Sequence, residues 1–257
     1  DSNLIFEKSP TSNISIDGFD AYACHRRHIK STALRASGGV IAYVKKELYD
    51  GVSLLKNGPS EIIWLRLNAS FFSWQNDILL CLCYIPPMHS SSNRYTDDMF
   101  EEISLDMAIF KNKYTGCEFI ISGDMNGRTG TQPDYIIQDC SDYLPLPDEY
   151  VEDNMACNER FSEDKIVNVQ GRRLLDFCKM SSRRILNGRI GVDYHIGRIT
   201  CVTYNGQSLV DYVLSSPSLM QSISSFDLLS QTLYSDHNPI VFSVQSSFTK
   251  LIQEQPQ

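Results

Sequence analysis

The chain predicts an α/β sandwich, and three observations carry that expectation. Short β-prone runs recur, such as Val40-Ile41-Ala42-Tyr43-Val44 and Phe119-Ile120-Ile121, and between them lie stretches of helical spacing, as at Met99, Ile103, Met107 and Phe110. Strands that alternate with amphipathic helices stack a helical layer on a sheet. Of the 257 residues 42% are apolar, which is ample for a buried core, and no internal repeat or low-complexity block divides the chain. One domain over residues 1–245, followed by a polar tail at 246–257, is the expected organisation.

In order, Leu4-Ile5-Phe6 is a short apolar run ending at Glu7, and a strand that opens a domain with no turn before it implies that a preceding N-terminal strand is missing. Phe19 to Cys24 alternates weakly. The basic loop His25-Arg26-Arg27-His28 has two histidines three apart with no third ligand nearby, too few for a metal site. Ser37-Gly38-Gly39 turns into the Val40–Val44 strand, which with Glu61–Leu67 and Asp77–Tyr84 reads as a β-meander. Pro86-Pro87 stops further pairing and holds Tyr84 at the end of its strand. A helix is expected from Asp97 to Phe110, then the strand that runs through Phe119-Ile120-Ile121 into Gly123-Asp124-Met125-Asn126-Gly127-Arg128. Residues 131–163, with Pro133, Pro145 and Pro147, form a long surface excursion. Arg172–Met180 is helical and Arg184–Gly188 is a strand and turn. Ile199–Tyr204 and Leu209–Leu214 flank Asn205-Gly206 as a hairpin, with Asp211 inside its second strand. Tyr234-Ser235-Asp236-His237-Asn238-Pro239 precedes a last strand, Ile240–Val244.

The net charge of −8 argues against a protein that coats nucleic acid with its whole surface. Between Lys165 and Arg198, however, eight basic side chains stand against Asp176 and Asp193 alone. That segment is either one face that holds a phosphate backbone or a solvated helix face with its loops. Eight cysteines without C-x-x-C spacing suit reduced thiols, hence an intracellular protein. No run approaches the ~18 apolar residues of a membrane span, so no membrane partner is expected.

Five polar features stand at strand ends or inside apolar strands: Glu7, Tyr84, Asp124 with Asn126, Asp211, and Asp236 with His237. Taken alone, Asp124 and Asn126 equally suit an Asp/Asn/Gly turn or, if the strand continues, a pair facing one phosphate or water. Carboxylates gathered with a histidine and few lysines suit a hard divalent cation such as Mg²⁺, and an Asp–His pair lets the carboxylate orient the imidazole. The inventory fits phosphodiester hydrolysis.

Gly123-Asp124-Met125-Asn126-Gly127-Arg128, Val210-Asp211-Tyr212-Val213-Leu214 and Ser235-Asp236-His237-Asn238-Pro239 occur in the order of the G-D-x-N-x-R, D-Y and S-D-H-x-P motifs, with Tyr84-Ile85-Pro86-Pro87 ahead of them. On these the chain resembles the endonuclease/exonuclease/phosphatase superfamily, and within it the endonuclease domains of non-LTR retrotransposons. The resemblance implies a four-layer α/β sandwich, two mostly antiparallel sheets packed face to face with helices outside. It implies a DNA-nicking endonuclease that uses Mg²⁺ or Mn²⁺, normally fused to a downstream reverse transcriptase and working in the nucleus. Asp124 would orient the attacking water or take its proton, Asn126 would assist it, His237 oriented by Asp211 would contact the scissile phosphate, and Tyr84 would donate to a phosphate oxygen. Glu7 and Asp236 would serve the metal. In the family an asparagine on a first strand supports that site, and no such strand precedes the Asp1–Glu7 run. Two alternatives accompany the nuclease expectation: a phosphatase or phosphodiesterase on a small substrate, and an inactive relic that binds nucleic acid or folds incompletely.

Overall fold

The computed structural model describes residues 15–24, 39–58, 61–88, 98–136 and 159–246. Its centre is a six-stranded sheet in the order β3-β4-β5-β6-β10-β7. These strands are β3 (Val52–Asn57), β4 (Ile62–Leu67), β5 (Ile78–Tyr84), β6 (Glu118–Asp124), β7 (Arg184–Ile185) and β10 (Asp211–Ser215). All pairings are antiparallel except β5 with β6. That parallel step needs a crossover, and the Met99–Lys113 helix supplies it.

Alternation along the strands sorts the core into two sides. Ile62, Trp64, Leu79, Cys81, Phe119, Ile121, Tyr212 and Leu214 pack with Ile103, Met107 and Phe110 of the Met99–Lys113 helix and with Leu174, Leu175 and Cys178 of the Val169–Ser181 helix. The intervening residues face a second β layer. Ile63 and Leu65 meet the hairpin of β1 (Phe19–Cys24) and β2 (Val40–Lys45), whereas Ile78, Ile120 and Val213 meet that of β11 (Ile223–Leu228) and β12 (Ile240–Val244). Two β layers face to face, with long helices outside the six-stranded sheet, realise the expected architecture.

Two sequence expectations need correction. The Val40–Val44 strand does not join the meander, because it pairs with β1, and the meander is β3-β4-β5. Asn205-Gly206 does not lead into the Asp211 strand. Its hairpin is short, β8 (Cys201–Thr203) with β9 (Gly206–Ser208), closed by Tyr204 and Asn205 between the paired Thr203 and Gly206. The chain then leaves for the large sheet, where β10 finds a larger apolar surface between β6 and β7. The six described cysteines are buried and unbridged.

Gly123 shows why a glycine precedes Asp124. Its φ is +153°, and a Cβ there would lie 1.8 Å from the Cys83 carbonyl oxygen, so a side chain would wedge β5 from β6 just before the rim.

Candidate active site

β5 and β6 end in register at Tyr84 and Asp124, and β10 begins opposite at Asp211. Paired residues on neighbouring strands project to one face, so Tyr84, Asp124 and Asp211 form a row at the rim, on the side of the second β layer. His237 comes from that layer, ahead of β12. Residues 236–238 lie antiparallel to 200–202: Val202 N–H donates to the Asp236 carbonyl at 2.8 Å, Asn238 N–H donates to the Thr200 carbonyl at 2.7 Å, and Cys201 bridges His237. His237 Nδ1 then donates to Asp211 Oδ2 at 2.8 Å.

The electrostatics follow from this placement. Burial first, and the facing Asp211 second, push the Asp124 carboxyl up to about 7. The hydrogen bond that His237 donates to Asp211 outweighs desolvation and raises His237 to about 9, with Asp124 and Asp236 adding to the rise. His237 is therefore an imidazolium at neutral pH. Burial and the charges of Asp236, Asp211 and Asp124 push the neighbouring Cys201 thiol up to about 11.

Asn126 unites the two sequence readings of its motif. The strand stops at Asp124, Asn126 takes a left-handed turn at φ 48°, and its N–H donates to Asp124 Oδ1 at 2.9 Å, so the acid does close a turn. It also stands in the row with Asp211. Asn126 Nδ2 donates to the Ile85 carbonyl at 3.0 Å, which fixes the amide beside the acid. Beneath this row opens a cleft of about 340 Å³ lined by Ser122, Gly123, Asp211, Ser235, His237 and Asn238.

Asp124, Asp211 and His237 offer ligand atoms within 4.8 Å of one another. Two facing carboxylates, one carrying a raised proton affinity, suit a hard divalent cation, which would relieve their repulsion. Asp236 is exposed and outside this trio, while Glu7 and the His25–His28 pair lie outside the described residues.

The Lys165–Arg198 segment is not one phosphate-binding face. Arg189 is 1% exposed and grips the fully buried Asp134 with two hydrogen bonds of 2.8 Å, Arg184 is equally buried, and Arg198 pairs with Asp193 and Asp227. Arg128 holds Asp164 in a bidentate pair at 2.7 and 2.6 Å, which ties the 159–168 stretch beside the site. Thr200 and Asn187, which support Asp211, escaped sequence reading because a threonine before a strand and an asparagine after one are ordinary.

The fold is of the endonuclease/exonuclease/phosphatase type, as the solved structures similar to it show. Among solved structures the chain is similar to the AP endonuclease LMAP from Leishmania major (TM-score 0.64, 12% identity, covering 93% of this chain and 74% of that one). It is also similar to the endonuclease domain of TRAS1, a telomere-specific non-LTR retrotransposon (TM-score 0.51, 14% identity, 89% and 81% covered). A third is the 3'-5' exonuclease NExo from Neisseria meningitidis (TM-score 0.52, 14% identity, 91% and 83% covered). No protein-family model and no curated protein sequence matches the chain.

Proposed function

We propose that the chain is a divalent-metal-dependent phosphodiesterase that nicks DNA, the endonuclease part of a retrotransposon-derived protein that acts with a reverse transcriptase in the nucleus. The observation that carries this is the Asp211–His237 pair set against Asp124 at one sheet rim. The retrotransposon context is supported by the ordered motifs and by the likeness to the TRAS1 domain.

Asp124, at the rim opposite Asp211, orients the attacking water. Asn126 holds that carboxylate through its backbone N–H and leaves amide capacity for the water. His237, kept charged by Asp211 on Nδ1, presents Nε2–H to a phosphate oxygen and stabilises charge as it develops there. Tyr84, beside Asp124 in register, places a phenol within the same row. A bound Mg²⁺, held by Asp124 and Asp211, with Asp236 and Glu7 as further acids, would supply Lewis-acid polarisation of the phosphate.

Conversion of supercoiled plasmid to the nicked circle in Mg²⁺, lost in EDTA and in His237→Ala, is the expected result. Nicking that persists in EDTA would refute metal dependence. A small phosphate ester is the second candidate substrate, favoured by the burial and pairing of arginines that would otherwise form a polymer-binding face. Turnover of a small phosphomonoester in preference to plasmid would select it.

A further inference from the structure

Thr200 is fully buried and touches both limbs of the Asp211–His237 pair. Its Oγ1 accepts from the N–H groups of Val210 at 3.0 Å and Asp211 at 3.1 Å. Its carbonyl accepts from Asn238 N–H, one residue past His237, at 2.7 Å, and its own N–H donates to Ser208. Asn238 grips the same stretch a second time through Nδ2 to the Ile199 carbonyl at 3.0 Å. On the far side of Asp211, Asn187 Nδ2 donates to the Asp211 carbonyl at 3.1 Å while its Oδ1 accepts from Val213 N–H at 3.2 Å.

We propose that Thr200 is a positioning residue that sets the spacing between Asp211 and His237. This inference rests on the phosphodiesterase role proposed for that pair. The two side chains belong to different β layers, Asp211 to the large sheet and His237 to the loop ahead of β12, and Thr200's two sets of backbone partners, Val210 with Asp211 and Asn238, are far apart in sequence, Asp211 and Asn238 by 27 positions. Layers that pack through apolar side chains alone can slide by fractions of an ångström, because dispersion contacts have no direction. A hydroxyl oxygen that accepts from one limb, on the residue whose carbonyl accepts from the other, converts that loose contact into a directional one. The hydroxyl matters specifically: with a methyl in its place the Val210 and Asp211 N–H groups lose a buried acceptor, and the start of β10 shifts to find another.

Three variants of the full chain test this. Thr200→Ser keeps the oxygen, Thr200→Val keeps the shape without it, and Thr200→Ala keeps neither but cannot clash. The first readout is the downfield proton resonance of His237 Nδ1–H, assigned by its absence in His237→Ala, which reports the hydrogen bond without substrate. It is expected in wild type and Thr200→Ser and absent, through exchange with water, in Thr200→Val. The second is plasmid nicking, where Thr200→Val is expected to lower kcat by about 10- to 100-fold with KM little changed, as loss of an orienting partner does. Thr200→Ser is expected to restore it. A folded Thr200→Val that keeps both the resonance and kcat overturns the proposal, as does a Thr200→Ser that loses both. Should Thr200→Val not fold, Thr200→Ala decides by the same two readouts. Failure of the wild type to nick would count against the proposed function, while the resonance would still decide the role of Thr200.

Discussion

Asp124 and Asp211 stand directly opposite each other across β6 and β10, two carboxylates in one row of one sheet, with only Asp211 answered by an imidazole. Their proximity organises the behaviour expected of the site.

Asp124 carries its proton to higher pH in the folded chain, about 7, than the 3.8 of an ordinary aspartate. A folded pKa raised in this way means that ionisation opposes folding: the cost is absent at pH 3, grows as pH rises, and is complete above about 7. Asp124→Asn removes the charge and keeps an oxygen for the Asn126 N–H. It is expected to raise the melting temperature at pH 8 by about 5 °C, corresponding to on the order of 2 kcal/mol, and by much less at pH 4.5, while abolishing nicking. Thermal unfolding at the two pH values checks this, and an equal shift at both would contradict it.

A divalent cation that relieves the same repulsion must displace the proton. Mg²⁺ added at pH 6.5 is therefore expected to release a substantial fraction of one proton per ion bound, and none in Asp124→Asn. Titration calorimetry in buffers of different ionisation enthalpy measures it.

His237 behaves in the opposite sense. Its folded pKa of about 9 lies above the ordinary 6.5, so the stabilisation from its pairing with Asp211 is full below pH 6.5 and fades as pH rises through about 9. Asp211→Asn is expected to return the His237 titration, followed by NMR of the ring protons, toward 6.5. Its destabilising effect should be larger at pH 6 than at pH 10.

Away from the site, Asp134 and Arg189 are both essentially inaccessible and joined by two hydrogen bonds, and Asp134 also accepts from Ile185 N–H at 2.7 Å. Asp134→Ala strands a guanidinium in the core and is expected to cost about 3–5 kcal/mol in urea unfolding. A loss below about 1 kcal/mol would show that water reaches Arg189.

The residues most legible in sequence were those whose chemistry contradicts their surroundings. An acid within Val210-Asp211-Tyr212, or a glycine followed by Asp124 after Phe119-Ile120-Ile121, demands a reason, and these acids do share a rim. Pairing was less legible. Val52-Ser53-Leu54-Leu55-Lys56-Asn57 lacks clean alternation, yet forms β3 because β4 offers it an edge, with a register irregularity between Leu54 and Lys56. Charge was the least legible, since local sequence does not reveal whether an arginine such as Arg189 has a carboxylate waiting 55 positions away in the core.

The position of His237 ahead of β12 also bears on biosynthesis. A chain made only as far as β11 contains both strands of the β6–β10 pair, whose register sets two acids opposite each other, but not the imidazole that answers one of them. Such a chain has the strands of its large sheet but not its imidazole, so on the proposed function it would lack the group that contacts the phosphate. If the chain cuts as proposed, activity would require the last described strand, β12, to be in place and would therefore report complete folding.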